Sequence, residues 1–120
     1  MSTTVVLGAS PNPARVSFEA ILQLQRRGEH VVAIGRRAGK IKDVEIQQEA
    51  WPVTDVDTVT LYLSAANQAE YEEYILEQLQ PKRLIFNPGT ENPRLFAAAR
   101  EQGIEAINAC TLVMMRVGAY

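Results

Sequence analysis

The sequence predicts a single doubly wound α/β domain, with helices on both faces of a mostly parallel sheet of five to six strands. Three observations lead there. Short β-branched and apolar runs without polar alternation recur along the chain and read as strands buried on both faces. Segments with apolar residues at helical spacing lie between them, closed by glycine or proline. The first strand, helix and second strand fit within about thirty residues, the length of a βαβ unit with parallel strands. With 120 residues and 47% apolar composition, the chain can bury one core without a disulfide or metal.

Val5 to Leu7 is the first buried strand, and Gly8 ends it by opening a turn of small residues. Asn12 is placed to cap a helix that has Pro13 at its first position, where a missing N–H does no harm. That helix runs to about Arg27, with Phe18, Ile21, Leu22 and Gln25 at helical spacing and Gly28 as its stop. Val31 to Ile34 is the second strand. Gly35 to Lys42 reads as a polar, basic loop, and Val44 to Ile46 as a short edge strand. Residues 47–57 carry no clear pattern. Thr58 to Leu63 is the next strand, leading through Ser64-Ala65-Ala66 to a helix that Asn67 and Glu70 start as a capping box. Tyr71, Ile75 and Leu79 share one face of it, and it stops near Pro81. Arg83 to Phe86 forms another strand, followed by the loop Asn87-Pro88-Gly89-Thr90. Asn92-Pro93 repeats the cap-and-first-turn device, Leu95, Phe96 and Ala99 face the core, and Gly103 ends the helix. Glu105 to Ile107 is the last strand, and Thr111 to Arg116 is an apolar tail whose form the pattern leaves open.

Composition removes several function classes. A net charge of −2 argues against a nucleic-acid binder, which needs a broad basic face. Cys110 stands alone, so neither an intrachain disulfide nor a cysteine metal cluster can form, and His30 by itself founds no zinc site. No signal peptide opens the sequence and no run is long enough to cross a bilayer, so no membrane association and a cytoplasmic location are expected.

Ligands of open parallel sheets bind beyond the carboxyl ends of the strands, where strand order reverses. Four loops fall there: Gly8 to Ser17, Gly35 to Lys40, Leu63 to Asn67 and Asn87 to Thr90. Unpaired amides at a helix tip, with Arg15 and Ser17 beside them, suit an anion such as phosphate. After the second strand, dinucleotide sites for free ribose usually carry an acid, whereas this chain has Gly35-Arg36-Arg37. A phosphorylated ribose therefore fits better, as in coenzyme A or NADP, than the free ribose of NAD. The first loop also lacks G-x-G-x-x-G, since Gly8 is its one glycine up to Pro13.

The string Val-Val-Leu-Gly8-Ala9-Ser10-Pro11-Asn12-Pro13-Ala14-Arg15-Val16-Ser17 resembles the opening of small bacterial CoA-binding domain proteins. These are similar to the N-terminal domain of the succinyl-CoA synthetase α subunit. The resemblance continues through the Asp57 strand, the Asn87-Pro88-Gly89 loop, Gly103-Ile104-Glu105 and Cys110. It implies a three-layer Rossmann-like domain that binds CoA as a small-molecule nucleotide cofactor. Gly8, Ala9, Ser10, Arg15 and Ser17, with Asn12 at the helix start, would serve the pyrophosphate. Gly35, Arg36, Arg37 and Lys40 would serve the 3′-phosphate end. Tyr62, Leu63 and Ser64 would line the cofactor, and the Asn87-Pro88-Gly89 loop would lie against adenine or pantetheine. Where the family usually has Asn-Pro after the second strand, this chain has Gly35-Arg36.

Plainer readings stand beside these. The Gly8 loop is also the turn that any βαβ unit needs, and the run Arg36 to Lys42 is also a solvated surface loop. Tyr62 suits core packing, and Asn87-Pro88-Gly89 is a standard turn signal. Cys110 reads as a small buried hydrophobe, or as a partner for the CoA thiol in a mixed disulfide. Trp51-Pro52 packs an edge and His30 lies on the surface. No Ser-His-acid set or Tyr-x-x-x-Lys pair is present, and Glu91 fits a helix's first turn as well as it fits a base. The expected function is thus binding of CoA or an acyl-CoA without chemistry of its own, with a protein partner or a homo-oligomer left open. The alternatives are an NADP-dependent reductase fragment and a protein-interaction domain with an empty nucleotide pocket.

Overall fold

The computed structural model describes residues 2–120. Strands β1 (Thr3–Leu7), β2 (His30–Ile34), β3 (Lys40–Ile41), β4 (Val44–Gln47), β5 (Val56–Leu61), β6 (Arg83–Phe86) and β7 (Glu105–Asn108) form one sheet in the order β3-β4-β2-β1-β5-β6-β7. Every pairing is parallel except that of β3 with β4. From β1 the chain builds outward through β2, then returns to build the other way from β5. Strand order therefore reverses between β1 and β5.

The sheet holds seven strands rather than five to six. The extra strand is β3, which the basic run hid, since a two-residue strand of Lys and Ile has no readable period. It folds back on β4 through a tight turn in which Lys42 takes φ 53°, and this places β4 inside the edge.

Two cores separate across the sheet. On one face Val5, Leu7, Val59, Leu61 and Phe86 pack against Tyr74, Ile75, Leu79, Leu95 and Ala99. The helices there are the short α2 (Ala65–Gln68), a 3₁₀ turn (Ala69–Tyr71), a π-helix (Tyr74–Leu79) and α3 (Pro93–Glu101). On the other face Val6, Ala33 and Ile46 meet Ile21 and Leu24 of α1 (Val16–Arg26), beside α4 (Thr111–Arg116). The apolar tail of the sequence is thus a helix, held down by the fully buried Thr111. Each fully buried aliphatic or Phe side chain contributes about 1.5–3 kcal/mol.

Of three expected helix starts, one forms as expected and two do not. Asn92 does cap α3, accepting from the Leu95 amide at 3.2 Å with Pro93 next. Asn12 does not cap α1. Its Oδ1 accepts from the Ala14 amide at 3.0 Å and its carbonyl from the Arg15 amide, so Asn12 to Arg15 closes a tight turn and α1 begins three residues later than expected. The local Asx turn competes with the helix for the Asn12 side chain. Asn67 and Glu70 form no capping box, because the helix starts at Ala65 behind Ser64. The expected face of Tyr71, Ile75 and Leu79 also shifts, to Tyr74, Ile75 and Leu79. The π-helix changes the residue spacing, ending on Gln80, whose amide donates to Ile75 O. Pro81 offers no N–H to Leu76, and Gln102 Nε2 donates to that carbonyl at 2.8 Å instead.

Candidate functional site

A cleft of about 660 Å³ opens beyond the carboxyl ends of β1 and β5, where the strand order turns over. Its floor and first wall come from Gly8. This residue has φ +94°, and a Cβ on it would lie 2.8 Å from the Tyr62 carbonyl carbon, so only glycine lets the β1 and β5 loops approach this closely. The Gly8 and Ala9 amides both donate to the Ile34 carbonyl, at 2.9 and 3.0 Å. Those two N–H groups hold β2 in place and do not face the cleft. The donors left for an anion are at the tip of α1. Arg15 is its N-cap and makes no side-chain cap bond, so among the described residues the Val16 and Ser17 amides have no partner.

Arg15, Arg36 and Arg37 line the cleft, and no carboxylate does. At the opposite, amino-terminal edge of the strands a second cavity of about 880 Å³ is lined by Glu29, Asp43, Glu45 and Asp55, with His30 and Trp51. The two linings thus differ in the sign of their charge.

The cleft gathers Gly8, Ala9, Ser10, Asn12, Arg15, Ser17, Arg36, Arg37, Tyr62, Leu63, Ser64, Asn87, Pro88 and Gly89. Gly35 and Lys40 stay outside it. Gly35 is buried, and a Cβ there would stand 2.1 Å from the Ala9 carbonyl oxygen, so its task is to let two loops touch. Lys40 sits on β3 and is exposed at the sheet's edge. Tyr62 follows β5 rather than lying within it. Ala14, Val16, Thr90 and Cys110 also line the cleft, Cys110 with a half-buried thiol.

Asn87 lines the wall, yet its side-chain amide is occupied. Nδ2 donates to Thr60 Oγ1 at 2.7 Å and to the Leu61 carbonyl at 2.9 Å, while Oδ1 accepts from the Thr111 amide at 2.8 Å. One amide thereby joins β5, the loop after β6 and the start of α4. Gln68, fully buried, does the same for the other wall. It donates to the carbonyls of Leu63 at 2.8 Å and Thr90 at 2.7 Å, and accepts from Asn92 at 2.9 Å. Sequence reasoning missed Gln68, Thr60 and Thr111, since a buried amide or hydroxyl leaves no periodic signal. Glu91, considered as a base, instead accepts from the Gly89 amide at 3.0 Å and closes its turn.

Burial pushes the Tyr62 phenol up to about 12. Its hydroxyl is buried beside Thr60 and Thr111, whose own hydroxyls bond each other at 2.8 Å. Tyr74 is likewise raised by burial to about 12, and its hydroxyl donates to the Trp51 carbonyl. Both phenols keep their proton in the native state above pH 10, where the unfolded chain releases it. The stabilisation is complete below about pH 10 and is lost as pH rises toward about 12. Absorbance titration should find both tyrosines ionising together with alkaline unfolding; ionisation near pH 10 in the folded protein would contradict their placement.

A mostly parallel doubly wound sheet with a cleft at its reversal point defines a Rossmann-like class of domain, in which ligands bind beyond the carboxyl ends of the strands. The chain belongs to the CoA-binding domain family, whose sequence model matches residues 2–116. A crystal structure of an uncharacterized protein, 42% identical, superposes with a TM-score of 0.96 over 100% of this chain and 98% of that one. A hypothetical protein from Pyrococcus horikoshii OT3 shares 22% identity, with a TM-score of 0.82 over 94% of this chain and 81% of its own. A conserved hypothetical protein from Pyrococcus furiosus shares 20% identity, with a TM-score of 0.79 over 97% and 99%. The last two are alike in fold. No curated protein matches the chain significantly. No described helix is long and apolar enough to cross a membrane, and no described group of three His, Cys, Asp or Glu residues is placed to hold a metal.

Proposed function

We propose that this protein binds coenzyme A, or an acyl-CoA, in the cleft and performs no chemistry on it. One observation carries the reading: three arginines and the uncapped tip of α1 converge on a cleft without a carboxylate, in a chain of net negative charge. The family membership supports it. In this reading the Val16 and Ser17 amides, with Arg15, take the pyrophosphate. Arg36 and Arg37 take the ribose 3′-phosphate. Tyr62, Leu63 and Ser64 border the cofactor, and the loop from Asn87 to Gly89 lies beside adenine or pantetheine. A carrier or sensor role fits, since the lining has no histidine or carboxylate to move a proton.

Thermal-shift titration with CoA, acetyl-CoA, NADPH and NADH side by side tests this. CoA or acetyl-CoA at about a hundred times its dissociation constant raises stability by about 2.7 kcal/mol. A response to NADPH alone would move the assignment to a reductase fragment, and no response at all to an interaction domain. By calorimetry, Arg15→Ala weakens CoA binding about tenfold, more than Arg36→Ala does, because Arg15 stands at the helix tip and charge-assisted contacts are worth about 1.5–3 kcal/mol. Equal or reversed losses would contradict that ranking.

A further inference from the structure

Arg36 lines the cleft, yet its guanidinium does not point at an empty subsite. Nη2 lies 3.3 Å from Asn67 Oδ1 and 3.4 Å from Glu70 Oε1, and neither Asn67 nor Glu70 lines the cleft. The loop after β2 is thus clasped to the helix after β5, across the mouth, by a cation meeting a carboxylate. The backbone end of this clasp is fixed, since Gln48 Nε2 donates to the Arg36 carbonyl at 3.0 Å. Its far end stands on a single 3₁₀ turn, since between Ser64 and Gln80 the hydrogen-bond pattern passes from α to 3₁₀ to π. The two side chains are 64% and 59% exposed, and an ion pair so wet is easily exchanged for another.

We infer that Glu70 is an internal competitor for Arg36, occupying with its carboxylate the cation that a ribose phosphomonoester takes when ligand binds. The inference rests on the reading of the cleft as a CoA site and adds what tunes it. Binding of a ligand with that phosphate exchanges one anion for another at Arg36. A ligand without it leaves the clasp closed. Glu70 therefore lowers affinity for the phosphorylated ligand selectively, and Asn67 shares the contact without adding charge.

Calorimetry with CoA and with dephospho-CoA, which lacks the 3′-phosphate, tests this on the whole chain. Glu70→Gln keeps the shape and removes the charge. It should tighten CoA about threefold, within the range of exposed ion pairs, and leave dephospho-CoA unchanged. In an Arg36→Ala background the same substitution should change neither ligand. Equal tightening of both ligands would mean that only bulk negative charge was removed, and unchanged CoA affinity would mean no competition; either overturns the inference while CoA binding itself stands. A wild-type protein that binds neither ligand overturns the reading of the cleft and this inference with it.

Discussion

Gly35→Ala should lower stability by about 3 kcal/mol, the upper end of what an added methylene costs in a packed interior. The residue has no unusual φ, so the effect is one of space alone. Its Cβ would lie 2.1 Å from the Ala9 carbonyl oxygen, 3.0 Å from the Ala9 carbonyl carbon and 3.3 Å from Ile46 Cγ2. Neither backbone can retreat cheaply. Ala9 is held by its amide on Ile34, and Gly35 by its own amide on the Gln47 carbonyl at 2.9 Å. Gly28→Ala is the control: it has φ +82° with nothing within 4 Å, so it carries only the backbone penalty of about 1 kcal/mol. Denaturant midpoints compare the two. A Gly35→Ala protein as stable as Gly28→Ala would show that the loops after β1 and β2 do not meet as described.

Asn87→Ala should cost about as much, for the opposite reason. Removing the amide leaves the Leu61 carbonyl and the Thr111 amide buried without partners, at about 1–3 kcal/mol each, so a total near 3 kcal/mol is expected. Thr60 and Thr111 keep the bond between their hydroxyls, so β5 should stay in place while α4 loosens first. Amide exchange at Thr111 and along α4 should therefore speed up more than exchange in the central strands. Uniform destabilisation would show that Asn87 does not tie α4 to β5 as described, and a loss of ligand affinity with stability unchanged would show that its main task is ligand contact.

Those two residues mark how far the sequence could be read. The parallel strands were legible because β1, β2, β5 and β6 are short β-branched and apolar runs buried on both faces, and the order of elements then fixes where a cleft opens. The loops that line it were legible for the same topological reason. What each loop residue does there was not. Gly35 lets two loops touch from outside the cleft, and Asn87 ties its wall together, tasks without a local signature because they join loops distant in sequence. Asn12-Pro13 and Asn92-Pro93 are identical dipeptides with different outcomes. Asn92 reaches the Leu95 amide three residues on, whereas Asn12 is drawn into a turn with Ala14 and Arg15. The π-helix was also out of reach, since its spacing arises from packing and from the missing N–H of Pro81.

The cleft beyond the carboxyl ends of the strands is lined by three arginines, whereas the cavity at the strands' amino ends is lined by carboxylates. A polyanion near the mouth of that cleft feels the arginines' field, focused by the cleft walls, before any contact forms. Encounter is thereby accelerated, and its rate falls as added salt shortens the reach of that field to about 8 Å at physiological ionic strength.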